Sequence, residues 1–301
     1  MEYKSFDPKE LSQPELHGYM LSAVAPRPIC FASTIDKAGN VNLSPFSFFN
    51  VFSSNPPIMI FSPSRRGRDN TTKHSFENVT EVPEVVINIV NHPIVEQMSL
   101  SSTEYDKGVN EFVKTGLTPI KSEMVKPPRV GESPVSFECK VIEVKPLGDG
   151  PGAGNLVVSE VLRVHIRPEY LGADGKLDSH KLDLVARMGG SWYCRATRDA
   201  MFEIPKPLQK KGIGVDALPE SARNSTVLTG NNLGRLGNVE SLPSEQEVNE
   251  LSYLNEIKVI VGSELDRDHL IELLHQKAQQ WLNEGEVKKA LSLVLFAEQW
   301  V

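Results

Sequence analysis

Residues Pro26 to Pro57 read PRPICFASTIDKAGNVNLSPFSFFNVFSSNPP, and the rest of the chain is organised around them. Ile29 to Ile35 has the length and composition of a strand. Asp36-Lys37-Ala38-Gly39-Asn40 is a turn cluster, and Val41 to Leu43 reads as a second short strand that Pro45 stops. Phe46, Phe48, Phe49 and Phe52 are then interleaved with Ser44, Ser47, Asn50, Ser53, Ser54 and Asn55. Two readings of this segment stand side by side. It is a hairpin followed by an aromatic-rich core loop, or its rings, hydroxyls and free backbone N–H groups receive a flat heteroaromatic ligand with a polar edge. A flavin is such a ligand.

Residues Ser62 to Asn78, SPSRRGRDNTTKHSFEN, follow. A phosphate monoester wants cations, hydroxyl donors and a helix N-terminus, where free N–H groups and the helix dipole favour anions. The stretch supplies Arg65, Arg66, Arg68 and Lys73, with Ser62, Ser64, Thr71, Thr72 and Ser75. A helix is expected over Thr72 to Val79, which places Lys73 and Ser75 in its first turn. The alternative is a solvated basic loop with an ordinary Thr cap. A phosphate site close in sequence to a flat-ring site suggests FMN.

Composition narrows the remaining classes. The chain has 301 residues, 40% hydrophobic and 24% charged, the balance of a soluble globular protein. A net charge of −7 and a pI near 5.6 disfavour nonspecific nucleic-acid binding and a broad anionic-membrane surface. No apolar run approaches the roughly 18–20 residues of a membrane span, and the N-terminus lacks the order of a signal peptide. Cys30, Cys139 and Cys194 are far apart and odd in number, which argues against a disulfide framework or zinc site and for a reducing, cytoplasmic setting. The histidines show no metal-ligand spacing. Gly148, Gly150, Gly152 and Gly154 resemble a phosphate loop only superficially: no helix follows them, and a long hairpin turn is the better reading.

Ser12 to Val24 reads as a helix with Ser12 as N-cap and Pro14 in the first turn. Ile58–Phe61 and Val85–Val90 read as buried strands, and Ile94–Leu100 as a short helix. Val135 to Val144 alternates, with Val135, Phe137, Cys139 and Val141 on one face and Ser136, Glu138 and Lys140 on the other, and Asn155 to Ile166 is its partner strand. Short strands joined by turns, with helices inserted, describe a mainly-β barrel.

The run RPICFASTIDKAGNVNLSPFSFFNVFSSNPP, then TKHSFENV, then SPVSFECKVIEVKPLG, resembles the flavin reductase-like, FMN-binding split-barrel family, to which flavoredoxin-type proteins and small NAD(P)H:flavin reductases belong. Arg187, Gly189, Gly190 and Tyr193, in ARMGGSWY, are similar to its closing motif. The resemblance runs from Leu16 to Tyr193. It implies a homodimer of split β-barrels that binds FMN non-covalently near the subunit interface, takes hydride from NADH or NADPH, and passes electrons to a flavin or another acceptor. The alternative is an electron carrier or flavin-binding module without reductase turnover. The hydride chemistry would be the flavin's own, so no catalytic side chain is assigned. Carried over by motif position, Ser33 and Thr34 face the FMN; Ser47, Phe48 and Asn50 run along the isoalloxazine edge; Lys73 and Ser75 hold the 5′-phosphate, assisted by Ser62 and Arg65. Between Lys73 and Ser75, where relatives often carry Asp, this chain has His74.

The resemblance implies a split-barrel domain over residues 1–204 and a C-terminal extension over 205–301, irregular at first and ending in a helical hairpin. Lys206 to Pro243 shows no sustained period. Leu270, Leu274, Ala278 and Trp281 recur at helical spacing, and Val287 to Trp300 reads as a second helix. One such helical pair cannot bury its own apolar face, so it is expected to pack on the barrel or on a partner subunit. Its extended part either crosses the barrel near the FMN mouth or belongs to an appendage away from it.

Overall fold

The computed structural model describes residues 1–207, 210–263 and 266–300, the side chain of Trp300 excepted. Leu208 and Gln209, within the stretch expected to be irregular, lie outside the described residues. The chain divides into two compact units, Met1–Phe202 and Glu203–Val301.

The first unit is built on one antiparallel sheet of seven strands: β1 (Cys30–Ile35), β2 (Val41–Phe46), β3 (Phe49–Ser54), β4 (Pro57–Phe61), β5 (Glu84–Ile89), β6 (Val135–Pro146) and β7 (Asn155–Ile166). Their order is β2-β1-β5-β6-β7-β4-β3. The two edge strands follow each other in sequence, joined by Ser47 and Phe48 alone, so the sheet must curl until its edges meet. Phe46 and Phe61 pack with ring centroids 5.1 Å apart. Together with Cys30, Ala32, Phe49, Ile87, Cys139 and Val157 they fill the inside of the curl. A second apolar layer, including Phe31, Leu43, Met98 and Phe112, lies under the short helices Val95–Ser101 and Glu111–Thr115. Both faces of β1 are therefore covered, and every residue from Cys30 to Ile35 is buried. This is a sheet-rich split barrel with inserted helices.

Two expectations are corrected. Pro45 does not stop its strand: β2 runs to Phe46, and Pro45 sits opposite Phe31. An edge strand has no neighbour on its outer side, so a proline without an N–H is tolerated there. On β6 the expected polar face is solvated at Lys140 but not at Ser136 and Glu138. Ser136 is 4% exposed and Glu138 is 0% exposed, because Ser136 bonds Asn88 on β5 and Glu138 is capped by the chain at Glu123 and Met124.

The first helix spans Gln13–Ala23 behind its Ser12 cap, with Glu15 closing a capping box. Its C-terminal carbonyls are held by a buried arginine. Arg27 Nη1 donates to Leu21 O at 2.5 Å and Val24 O at 2.7 Å, while Nη2 donates to Met188 O at 2.9 Å. The helix is thereby tied to the ARMGG segment. Gly189 is required there, since a Cβ would lie 2.4 Å from Ser22 Oγ. Arg187 stacks over the Tyr193 ring at 4.6 Å and donates to Gly190 O at 2.7 Å.

The second unit corrects the reading of the tail. Helices Gly230–Gly237, Glu245–Glu250 and Asn255–Val261 precede the pair Arg267–Asn283 and Val287–Ala297. The stretch up to Pro243 is thus partly helical. Its Leu218, Ala222, Leu228 and Leu236 join Leu274, Trp281, Leu291 and Val294 in one core. The apolar face of the pair is covered by the segment just before it, within the same unit. The Gly and Asn residues had masked this helix: Gly230–Gly237 is short and starts on a Thr229–Asn232 capping box.

Candidate functional site

The basic loop after β4 folds onto the Gly-rich turn. Arg65 N donates to Ala153 O at 2.8 Å and Gly152 N donates to Arg65 O at 3.2 Å. Ser62 Oγ accepts from Asn155 N at 3.1 Å, and Asn155 Nδ2 donates to Pro63 O at 2.9 Å. The Arg65 guanidinium turns inward, donating through Nε to Asn70 Oδ1 at 2.7 Å and through Nη2 to Asn70 O at 2.5 Å. Ser62 and Arg65, both expected to assist a phosphate, thus serve as the internal frame of the loop.

That frame delivers Lys73 to the N-cap of the helix His74–Glu81. Lys73 lies over the Phe46 ring at 5.6 Å and makes no ion pair among the described residues. Burial first, and the neighbouring Arg66 charge second, hold its pKa below the ordinary lysine value, a nearby Glu104 opposing. Lys73, His74 and Arg66 open on a cleft of about 50 Å³ shared with Asn42, Glu111 and the 101–105 segment. Arg66 is fixed by Thr71 Oγ1 at 2.9 Å, by Thr72 O, and by Glu104 at 3.4 Å. The His74 pKa is lowered, chiefly by burial, so its ring is neutral near pH 7. Burial pushes the Glu111 carboxyl up, although it accepts from Leu43 N at 2.9 Å. The cleft therefore presents an ammonium with no ion pair, a guanidinium paired to Glu104 on the same wall, a neutral ring and a carboxyl biased toward its neutral form. This donor set, at the start of an eight-residue helix, fits a phosphate group.

The other expected residues divide. Ser75 is fully buried and hydrogen-bonded to the Asn42 side chain at 3.0 Å, so its hydroxyl faces the sheet. Ser33 and Thr34 are also fully buried. Asn78 Nδ2 donates to Thr34 Oγ1 at 3.1 Å, clamping the helix to β1, and Ser33 Oγ has no partner. These three hydroxyls are buried and line no part of the cleft in the single chain. Ser47, Phe48 and Asn50 do reach the surface where the edges of the sheet meet. Phe48 is 39% exposed with its ring edge-on to His17 at 6.3 Å, and Ser62 N donates to Phe48 O at 2.8 Å. Val51 and Phe52, further along β3, are 57% and 64% exposed. Of the residues carried over by motif for the phosphate, Lys73 alone lines the cleft, and Arg66, another cation of the same basic stretch, stands there in place of Arg65. Asn42, Glu104 and Glu111 were missed. They come from separate parts of the chain, and no local pattern marks them.

Comparison with known proteins identifies the family. Residues 21–179 match the model of the flavin reductase like domain. The chain is 37% identical over 196 residues to an uncharacterized protein of Aquifex aeolicus, covering 65% of this chain and 97% of that one. Among solved structures, nitrilotriacetate monooxygenase component B from Bacillus cereus superposes with a TM-score of 0.63 at 28% identity, covering 68% of this chain and all (100%) of that one. A protein with a split barrel domain from Shewanella frigidimarina gives a TM-score of 0.58 at 28% identity, covering 68% of this chain and 100% of its own. The chain belongs to the flavin reductase-like family, a family of flavin-binding oxidoreductases with the split-barrel fold. Among the described residues no helix is long and apolar enough to cross a membrane, and no group of acidic, His or Cys side chains is placed to hold a metal.

Proposed function

We propose that this protein binds FMN non-covalently and uses it to pass electrons from NADH or NADPH to a second flavin or another acceptor. The observation that carries the reading is Lys73, a half-buried ammonium that makes no ion pair among the described residues, at a helix N-terminus beside Arg66. Lys73 and Arg66 would hold the 5′-phosphate. The isoalloxazine would lie along Ser47, Phe48 and Asn50, where backbone N–H groups meet its polar edge. Bound FMN would supply the hydride chemistry, while the chain binds it and sets its orientation. Phe48, Val51 and Phe52 leave an apolar edge on β3 open in the single chain, which supports a homodimer in which a second copy covers it. The free thiols of Cys30 and Cys139, both buried, suit a cytoplasmic protein.

The test is direct. The purified protein is inspected for flavin absorbance, and NADH and NADPH oxidation are followed with added FMN as acceptor. Light scattering on the flavin-bound form should give twice the 33.4 kDa of one chain. A colourless protein that takes up no FMN would sink the reading. A yellow protein inert to both nicotinamides would reduce it to a carrier.

A further inference from the structure

At the other end of the β6–β7 ladder lies a cavity of about 350 Å³ that shares no lining residue with the Lys73 cleft. Its floor is the end of the ladder, where Ser136 pairs with His165 and Val135 with Ile166. Its roof is the small hairpin of Pro119–Ile120 with Arg129–Val130. Ile120, Val164 and Ile166 give it an apolar wall.

The polar wall is incompletely satisfied. Ser133 is 3% exposed, and its hydroxyl has no partner. Arg129 Nη2 donates to Lys121 O at 3.1 Å, but the buried Nε has no acceptor. It forms an ion pair with Glu138 Oε1 at 3.9 Å, a separation beyond hydrogen-bond range. Glu138 is already engaged: it accepts from Glu123 N at 2.9 Å, from Met124 N at 2.5 Å, and meets His165 Nε2 at 2.6 Å. Arg167, also on the wall, is paired to Glu169 at 2.5 Å and donates to Glu132 O at 3.1 Å and Gly131 O at 3.4 Å. What remains unfilled is one buried donor that can only donate and one buried hydroxyl. Leaving such groups desolvated and unpaired is costly.

We infer that this cavity is a second small-molecule site, for an organic carboxylate with an apolar body. One carboxylate oxygen accepts from Arg129 Nε and the other from the Ser133 hydroxyl, while the body lies on Ile120, Val164 and Ile166. A neutral carbonyl would also accept, but the Arg129 guanidinium bonds a charged acceptor more strongly. This site is independent of the FMN reading, and its test reads carboxylate binding, with flavin affinity only as a control.

Sodium benzoate and its neutral counterpart benzamide serve as probes, each titrated calorimetrically into the full chain. Benzoate should bind measurably and benzamide about tenfold more weakly or worse. Arg129→Gln and Ser133→Ala should each weaken benzoate about tenfold or more. Ser133→Ala removes a hydroxyl with no partner, so its melting temperature and FMN affinity should match the parent's. It decides the matter if Arg129→Gln, which touches the Lys121 carbonyl, does not fold. Equal binding of benzamide, no benzoate heat at millimolar concentration, or parent-like benzoate binding by Ser133→Ala would each overturn the assignment.

Discussion

Lys73→Met isolates the charge in the cleft while keeping the length of the side chain. A charge-assisted hydrogen bond to phosphate contributes about 1.5–3 kcal/mol, so FMN affinity should fall roughly tenfold to a hundredfold. The same substitution should not weaken the flavin-free protein. Burial and Arg66 lower the Lys73 pKa from its ordinary 10.5, so the charged form is disfavoured by the fold before any anion arrives. The linkage has a definite sign. Between the lowered folded value and 10.5 the unfolded chain binds more protons than the folded one, and stability rises with pH across that window. Phosphate affinity runs the other way: it is present while Lys73 is charged and is lost as pH rises through the lowered value. The parent should therefore lose FMN affinity at a lower pH than an ordinary lysine would dictate, and the Met variant should show no such step. Quenching of FMN fluorescence, titrated across pH, reads the affinity, and melting curves without flavin read the stability. An unchanged dissociation constant would refute the reasoning. So would a loss of affinity matched by a fall in the flavin-free melting temperature, because the effect would then be general destabilisation.

Arg27→Ala leaves the carbonyls of Leu21, Val24 and Met188 without their shared donor, and chemical denaturation should show a loss of at least about 1.5–3 kcal/mol. For Glu138, burial pushes the pKa up, but the Glu123 and Met124 N–H groups and the His165 ring outweigh it and hold the carboxyl below its ordinary value. Its stabilisation is thus present above the unfolded value of 4.5 and lost as pH falls below it; Glu138→Gln should melt lower at neutral pH and show a flatter acid limb. Residues 203–301, expressed alone, should give a cooperative helical melt, because Leu218, Leu236, Leu274, Trp281 and Leu291 form a core within that segment; a non-cooperative circular dichroism trace would contradict this.

The local sequence determined what local forces determine. Ser12 with Pro14 announces the first helix, and the strand expected over Asn155 to Ile166 matches the β7 span residue for residue. The Gly148–Gly154 turn and the helical periods of the last two helices were equally legible, since each depends on side chains within a few residues of one another. The order of the PRPIC stretch, taken with TKHSFENV, SPVSFECKVIEVKPLG and ARMGGSWY, was enough to suggest the family. Tertiary structure alone decided which polar groups face inward. Ser33, Thr34 and Ser75 carry the hydroxyls the motif calls for, yet all three are buried: Thr34 and Ser75 where the helix His74–Glu81 packs on the sheet, Ser33 on the other face of β1. Pro45 sits inside a strand because β2 happens to be an edge, a property of the sheet order and not of the proline's neighbours. Arg65 and Arg66 are adjacent and chemically identical, and only the positions of Asn70, Glu104 and the cleft separate a framing role from a place on its wall. Burial and hydrogen-bond pairing of this kind join residues remote in sequence, and no periodicity records which of two like side chains meets which partner.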